Sequence, residues 1–281
     1  MIIVRFAEIG LKGKNRSFFE NALVRNIKVC LDSNKIKYSG ITKPHGRILI
    51  KTKDPCHCLK NVFGIASFSD AVTVGFDIES AKKQALKLAK NLTPEKTFRV
   101  TCQRLDKKFP ITSKDFQIDV GGFIQEHTNA RAKMKDFDFN IQAEIINNQI
   151  YLFIEKIPGP GGLPVGIEGS VVVLLEDSAS LLAGLLMMKR GCRVIPAALK
   201  KTDVALLKSY AYGTRIELKI IKNISELDDL VKQSKAKAVV VGDMLKNIKD
   251  YSVKTQVLRP MAAYVDKDIE EELNGFRQRV C

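Results

Sequence analysis

Five groups of residues in this 281-residue chain have types and spacings that raise the question of chemistry. Lys12, Lys14 and Arg16 stand directly ahead of a helix-forming run, where basic side chains and free backbone N–H groups converge as they do at phosphate sites. Arg104, Lys107 and Lys108 make a second basic loop, before Phe109-Pro110, that suits contact with RNA. Arg131, Lys133 and Lys135 are a weaker cluster, because Asp136 and Asp138 follow directly. Glu176 and Asp177 end an apolar strand and have the types of a metal-binding or acid/base pair. Neighbours at a strand end point apart, however, so surface charge is the better reading. Cys56-His57-Cys58 has metal-ligand types but no second pair at zinc spacing, and His45 and His127 lack triad partners, so no metal site is expected.

The formal net charge is +15 and the pI about 9.5, which points to a polyanionic partner, nucleic acid first. The excess is steepest over residues 1–75, with 13 Lys and Arg against 5 acids. A membrane partner is not expected, because no apolar run approaches the roughly 18 residues of a span, and no secretory signal is visible. Six scattered cysteines without a framework spacing suit reduced thiols, so a cytoplasmic location is expected.

The elements that must position these groups follow from patterning. IIVRFAEI reads as a buried strand, and Ser17-Phe18-Phe19-Glu20 as a capping box opening a helix through NALVRNIKVCL. Phe18 and Phe19 are both expected in the core. Strands near Tyr38 and at Arg47–Lys51, a short helix over 56–62 and a strand over 68–74 complete a βαββαβ, ferredoxin-like pattern. A second unit follows: a helix in ESAKKQALKLAKNL, strand FRVTCQR, a helix over 113–131, and strands FNIQAEII and QIYLFIEKI turning at Asn147-Asn148. Pro158-Gly159-Pro160-Gly161-Gly162-Leu163-Pro164 reads as a linker. Beyond it, SVVVLLE, SASLLAGLLMMKRG, CRVIPAAL, IELKII, SELDDLVKQSKA and AVVVGD alternate as βα units, predicting a doubly wound parallel sheet. Cys192 is expected to be a small buried hydrophobe.

One run, Arg5-Phe6-Ala7-Glu8-Ile9-Gly10-Leu11-Lys12-Gly13-Lys14-Asn15-Arg16 with Phe18, Phe19 and Glu20, is long and specific. With Val62-Phe63-Gly64-Ile65, Phe98-Arg99-Val100, Arg104, Asp106–Pro110, Ser113, Gly159–Gly166, Val257-Leu258-Arg259-Pro260 and Asp266-Lys267, the chain resembles the tRNA 4-thiouridine synthases, also called thiamine-biosynthesis sulfurtransferases. The resemblance implies an α+β N-terminal half, ferredoxin-like over 1–75 and THUMP over 76–166, then an α/β P-loop pyrophosphatase-like domain over 167–281. It also implies that the first two domains hold tRNA while the third activates a uridine with ATP for replacement of oxygen by sulfur.

The ATP step uses a Ser-Gly-Gly-x-Asp-Ser loop, whose glycines let backbone N–H groups close on phosphates at a helix N-terminus. Anchored on Leu186–Gly191, the resemblance places Leu175-Glu176-Asp177-Ser178-Ala179-Ser180 there, and Ser180 alone matches. Acids replace both glycines, and two like charges about 4 Å apart cost roughly 4 kcal/mol at an effective dielectric near 20. The family's Gly-Gln-x-x-Ser-Gln-Thr run is replaced by Gly242–Asp250, no cysteine falls in IELKII, and Cys281 has no fixed counterpart. The expectation is a tRNA-binding family member, active in tRNA modification, whose own adenylation is lost or impaired. Its partners are tRNA and a separate ATP-using or sulfur-donating protein, and no cofactor is expected. The alternative is an active tRNA sulfurtransferase making 4-thiouridine with ATP and Mg²⁺ through an atypical loop. A thiamine-pathway sulfur carrier would leave the basic N-terminal domains unexplained.

Overall fold

The computed structural model describes residues 1–44 and 46–280, so His45 and Cys281 lie outside the described residues. Backbone proximity groups the chain into two compact units. One holds Met1–Arg5, Tyr38–Pro55 and Ser67–Ile157; the other holds Phe6–Lys37, Cys56–Ala66 and the chain from Pro158 onward.

The N-terminal elements are β1 (Ile2–Arg5), α1 (Arg16–Ser33), β2 (Tyr38–Thr42), β3 (Ile48–Thr52) and β4 (Ser67–Asp70), with a 3-10 turn at His57–Asn61. β1 is antiparallel to both β3 and β4, and β2 continues the sheet beyond β3. All four β1 residues are buried. α1 buries Phe19, Ala22, Leu23, Asn26, Ile27, Cys30 and Leu31, one stripe at helical spacing. The expected capping box does not form. Short 3-10 turns at Glu8–Leu11 and Gly13–Asn15 wind straight into the helix, so its N-cap is Asn15, in a helical conformation with no side-chain cap. An N-cap needs an extended backbone for its side chain to reach back. Ser17 therefore sits inside α1, and the Glu20 carboxylate accepts from Arg16 Nε at 2.7 Å.

The expected strand over 68–74 is two strands. Pairing with β1 runs out at Ile2↔Asp70, and after Ala71 the chain enters β5 (Val72–Val74), where Val72 pairs with Leu152 of another sheet. That sheet also holds β6 (Thr97–Arg104), β7 (Arg131–Ala132), β8 (Phe139–Ile146) and β9 (Gln149–Phe153), in the order β5-β9-β8-β6-β7. β6 runs parallel to β7 and β8. Helices α2 (Ile78–Leu88) and α3 (Ser113–Thr128) cover it over a core that includes Ala81, Ala85, Phe98, Phe116, Val120 and Ile141. α3 ends before the predicted Arg131 because Asn129 turns left-handed at φ 56°. Asn147 and Asn148, at φ 47° and 59°, make the tight β8–β9 turn that the sequence indicates. β10 (Ile157–Pro158) lies beside β4.

The C-terminal elements are β11 (Ser170–Leu174), α4 (Ser178–Lys189), β12 (Arg193–Ala198), α5 (Ala205–Ser209), β13 (Lys219–Ile220), α6 (Glu226–Ser234), β14 (Val239–Val240), β15 (Val257–Leu258) and α7 (Asp266–Arg277). The strands form an all-parallel sheet in the order β13-β12-β11-β14-β15. Val171 and Val173 face a core with Leu182, Leu185 and Phe276, while Val172 and Leu174 face Leu227 and Val231, so β11 is apolar on both faces. Cys192 is buried, as expected. The Pro-Gly segment is packed: a Cβ on Gly162 would lie 2.2 Å from the Lys189 carbonyl oxygen.

Candidate functional site

In an open parallel sheet, ligands sit beyond the strand carboxyl ends where the strand order reverses, here between β11 and β14. β11 delivers Leu175 to α4 through that point, and Asp177 is the α4 N-cap, extended at φ −155°. Its Oδ1 accepts from Ser180 N–H at 2.9 Å. Ser180 is fully buried, and its Oγ accepts from the N–H groups of Glu176 and Asp177, both at 2.9 Å. Three N–H groups of this turn are thus engaged internally, and the Asp177 carboxylate holds the place at the helix start that an incoming anion would take. Opposite, Gly242 approaches so closely that a Cβ would lie 2.4 Å from Ser180 N. These residues do not fit a triphosphate.

Glu176 turns the other way, into a network that sequence reading did not assemble. Its carboxylate accepts from Lys249 Nζ at 3.1 Å and lies 3.2 Å from the Tyr251 hydroxyl oxygen. The same hydroxyl donates to Asp243 Oδ1 at 2.6 Å, and Asp243 Oδ2 accepts from Arg259 Nε and Lys249 N–H, both at 3.1 Å. Asp243 is buried. Burial pushes its carboxyl up, but the Tyr251 hydroxyl, the Lys249 N–H and the Arg259 guanidinium outweigh that and hold it below the usual carboxylate range. Burial and the Asp243 carboxylate raise the Tyr251 phenol. Glu176 and Asp177 are both exposed, and each has a partner: Glu176 bridges to Lys249 and Asp177 caps α4. The run Gly242–Asp250 and the landmark Arg259 carried half of the signal; Tyr251 carried none. Among the described residues no group of three or more His, Cys, Asp or Glu is placed to hold a metal ion.

The basic residues divide between the two units. Lys12, Lys14 and Arg16 fall in the second. Lys14 is exposed, Lys12 lies with Nζ 4.7 Å from the Phe19 ring centroid, and Arg16 is tied to Glu20 and stands 5.6 Å from the Phe6 ring. Phe19 is buried, but Phe18 is 56% exposed beside them, against the expectation of core: neighbours on a helix point about 100° apart, and the buried stripe runs through Phe19, Leu23 and Ile27. Arg104, Lys107 and Lys108 fall in the first unit. Arg104 staples its loop by donating to the Phe109 and Ile111 carbonyls at 3.0 and 2.8 Å, leaving Lys107 and Lys108 exposed. In the same unit a groove of about 330 Å³ is lined by Arg99, Lys114 and Lys133 together with Ile118 and Met134. Asp138, which appeared to offset Lys133, is spent on the N–H and hydroxyl of Thr97, both at 2.8 Å.

Among the described residues no helix is long and apolar enough to cross a membrane. Residues 1–69 match the family model of the ThiI ferredoxin-like domain and residues 76–155 that of the THUMP domain. A Thermococcus kodakarensis protein named "Probable tRNA sulfurtransferase" is 33% identical, over 94% of this chain and 81% of its own length. A protein of the same name from Natranaerobius thermophilus is 35% identical over 80% of this chain, which spans 56% of that protein. Among solved structures, PH1313 from Pyrococcus horikoshii superposes with a TM-score of 0.87 at 34% identity, covering 98% of this chain and 99% of that one. A 4-thiouridine synthetase solved with RNA and ATP shares the fold, with a TM-score of 0.80 at 23% identity over 98% of this chain and 84% of that one.

Proposed function

Because the chain belongs to the tRNA sulfurtransferase family, we propose that it binds tRNA and acts in tRNA modification, with its own ATP-dependent adenylation lost or impaired. The observation that carries the second half is the α4 N-terminus. Its turn N–H groups are satisfied by Ser180 and Asp177, and three carboxylates, Glu176, Asp177 and Asp243, line the crevice against Lys249 and Arg259. A triphosphate there would have to displace a helix cap and meet net negative charge.

The first half is supported by the THUMP match and the charge of +15. Lys12, Lys14, Arg16, Arg104, Lys107 and Lys108 are assigned to phosphate contacts, and the groove beside Lys114 and Lys133 offers an amphipathic surface for unstacked nucleotides. On this reading the chain has three modules, 1–75, 76–166 and 167–281, works in the cytoplasm, and relies on a separate ATP-using or sulfur-donating protein.

The test is pyrophosphate release from ATP and Mg²⁺, with unmodified tRNA and a persulfide donor present. Salt-sensitive tRNA binding without release is the expected result. Release that depends on tRNA would restore the alternative, an active sulfurtransferase with an atypical loop. Absence of salt-sensitive binding would remove the RNA assignment.

A further inference from the structure

Within the first unit, Glu144 on β8 is buried and holds two guanidinium groups, Arg5 Nε and Arg47 Nε, each at 2.6 Å. Burial pushes the Glu144 carboxyl up, and the arginines more than reverse it, so it stays charged. One carboxylate between two arginines leaves a positive charge unbalanced. Lys156 adds another: its Nζ lies 5.9 Å from the Phe153 ring, which also carries the Arg5 guanidinium at 4.8 Å. Burial first, and then the charge of Arg5, pull the Lys156 ammonium below its ordinary value.

The hydrogen bonding is as lopsided as the charge. Arg5 NH1 donates to Ser69 Oγ, and Arg47 donates to the Gly46 carbonyl and to Gln103 Oε1. Arg5 NH2 is buried with no partner. With its oxygen fixed by Arg47, Gln103 turns its amide nitrogen away from the guanidinium, and no salt bridge engages Lys156 among the described residues. The cluster thus has one buried donor to spare, Arg5 NH2, beside the exposed donors of Gln103 and Lys156, and both Glu144 oxygens are already taken. Such surplus inside a protein is answered by an acceptor, and where positive charge is in excess that acceptor is an anion.

A cavity of about 90 Å³ opens at this cluster, lined by Cys102, Gln103, Gln142, Glu144, Phe153 and Lys156 among others. At about 30 Å³ per water it has room for three waters or one tetrahedral oxyanion. We propose that this cavity is a subsite for a single phosphate group, contacted by the Lys156 ammonium and the Gln103 amide, with Arg5 and Arg47 supplying field from behind the wall. The phosphate is either free or part of an RNA backbone, and only the RNA case rests on the tRNA-binding reading.

The experiment uses the full chain and two variants, Lys156→Gln, at an exposed position that leaves the buried Arg5–Glu144–Arg47 cluster intact, and Gln103→Leu. Phosphorus NMR of inorganic phosphate, at ionic strength matched with chloride, should show broadening with the wild type that both variants reduce at least fivefold. Parallel tRNA titrations against salt identify the source. A drop of about 0.9 in the log–log slope for Lys156→Gln marks one RNA phosphate at the subsite, and an unchanged slope marks free phosphate as its ligand. Phosphate broadening without any tRNA binding would remove the RNA reading and keep the subsite. No broadening with the wild type and no slope change, or equal broadening in the variants, would overturn the proposal.

Discussion

Replacing Asp243 by Asn keeps the side-chain volume and removes the charge at the centre of the β11–β14 crevice. The carboxylate accepts three hydrogen bonds, from Tyr251 Oη, Arg259 Nε and Lys249 N–H. Hydrogen bonds to a charged group contribute about 1.5–3 kcal/mol and neutral ones about 0.5–1.5, so neutralisation costs about 1 kcal/mol per bond, or about 3 kcal/mol in all. For a domain of roughly 150 residues, that corresponds to a fall in Tm of about 6–12 °C. Urea or thermal unfolding should show the loss with an unchanged m value. The pH dependence has a definite sign. The folded carboxyl lies below its unfolded value, near 3.9, so its stabilisation is complete above that value and fades as pH falls through the folded one. Wild type and Asp243→Asn should therefore differ fully at neutral pH, begin to converge below about pH 4, and meet only once pH has fallen through the lower folded value. A variant within 1 °C of wild type at pH 7 would refute the claim that this network holds the crevice together.

Gly242→Ala would place a Cβ 2.4 Å from Ser180 N, against backbone that has no room to yield, and should cost about 2–3 kcal/mol in denaturant unfolding. Of the N-terminal basic residues, exposed Lys14 should matter most to RNA: Lys14→Glu lowers the salt slope of tRNA binding by about 0.9, whereas Arg16→Ala, already neutralised by Glu20 at 2.7 Å, changes it by less than half as much. Asn148→Gly relieves a non-glycine residue at φ 59° in the β8–β9 turn and should raise stability by about 0.5 kcal/mol, read as a higher midpoint in urea.

What was legible in the sequence is what short-range pattern controls. The apolar run at 170–175 and the helix after it announced a covered parallel strand, and Asn147-Asn148 announced a turn, because each depends on residues within a few positions. The break at Ala71 was not legible: apolar content continues through it, while Asp70 still pairs with Ile2 of the first sheet and Val72 already pairs with Leu152 of the second. Nor was the start of α1, where 3-10 turns override a well-formed capping pattern. The crevice network joins residues 176, 243, 249, 251 and 259, and Arg5 meets Glu144 across 139 positions. No local spacing encodes such meetings. They follow from which strand ends the topology brings together.

The single residue between β4 and β5 has a consequence for how this architecture is inherited. Ala71 shares one buried cluster with Ile3 and Leu49 of the first sheet and Ile146, Tyr151 and Phe153 of the second. A genetic crossover near codon 71 would leave each product with half of a hydrophobic seam open to water. Joining at this one residue therefore makes the two sheets depend on each other for burial: neither could be exchanged for a foreign sheet without a matching apolar edge.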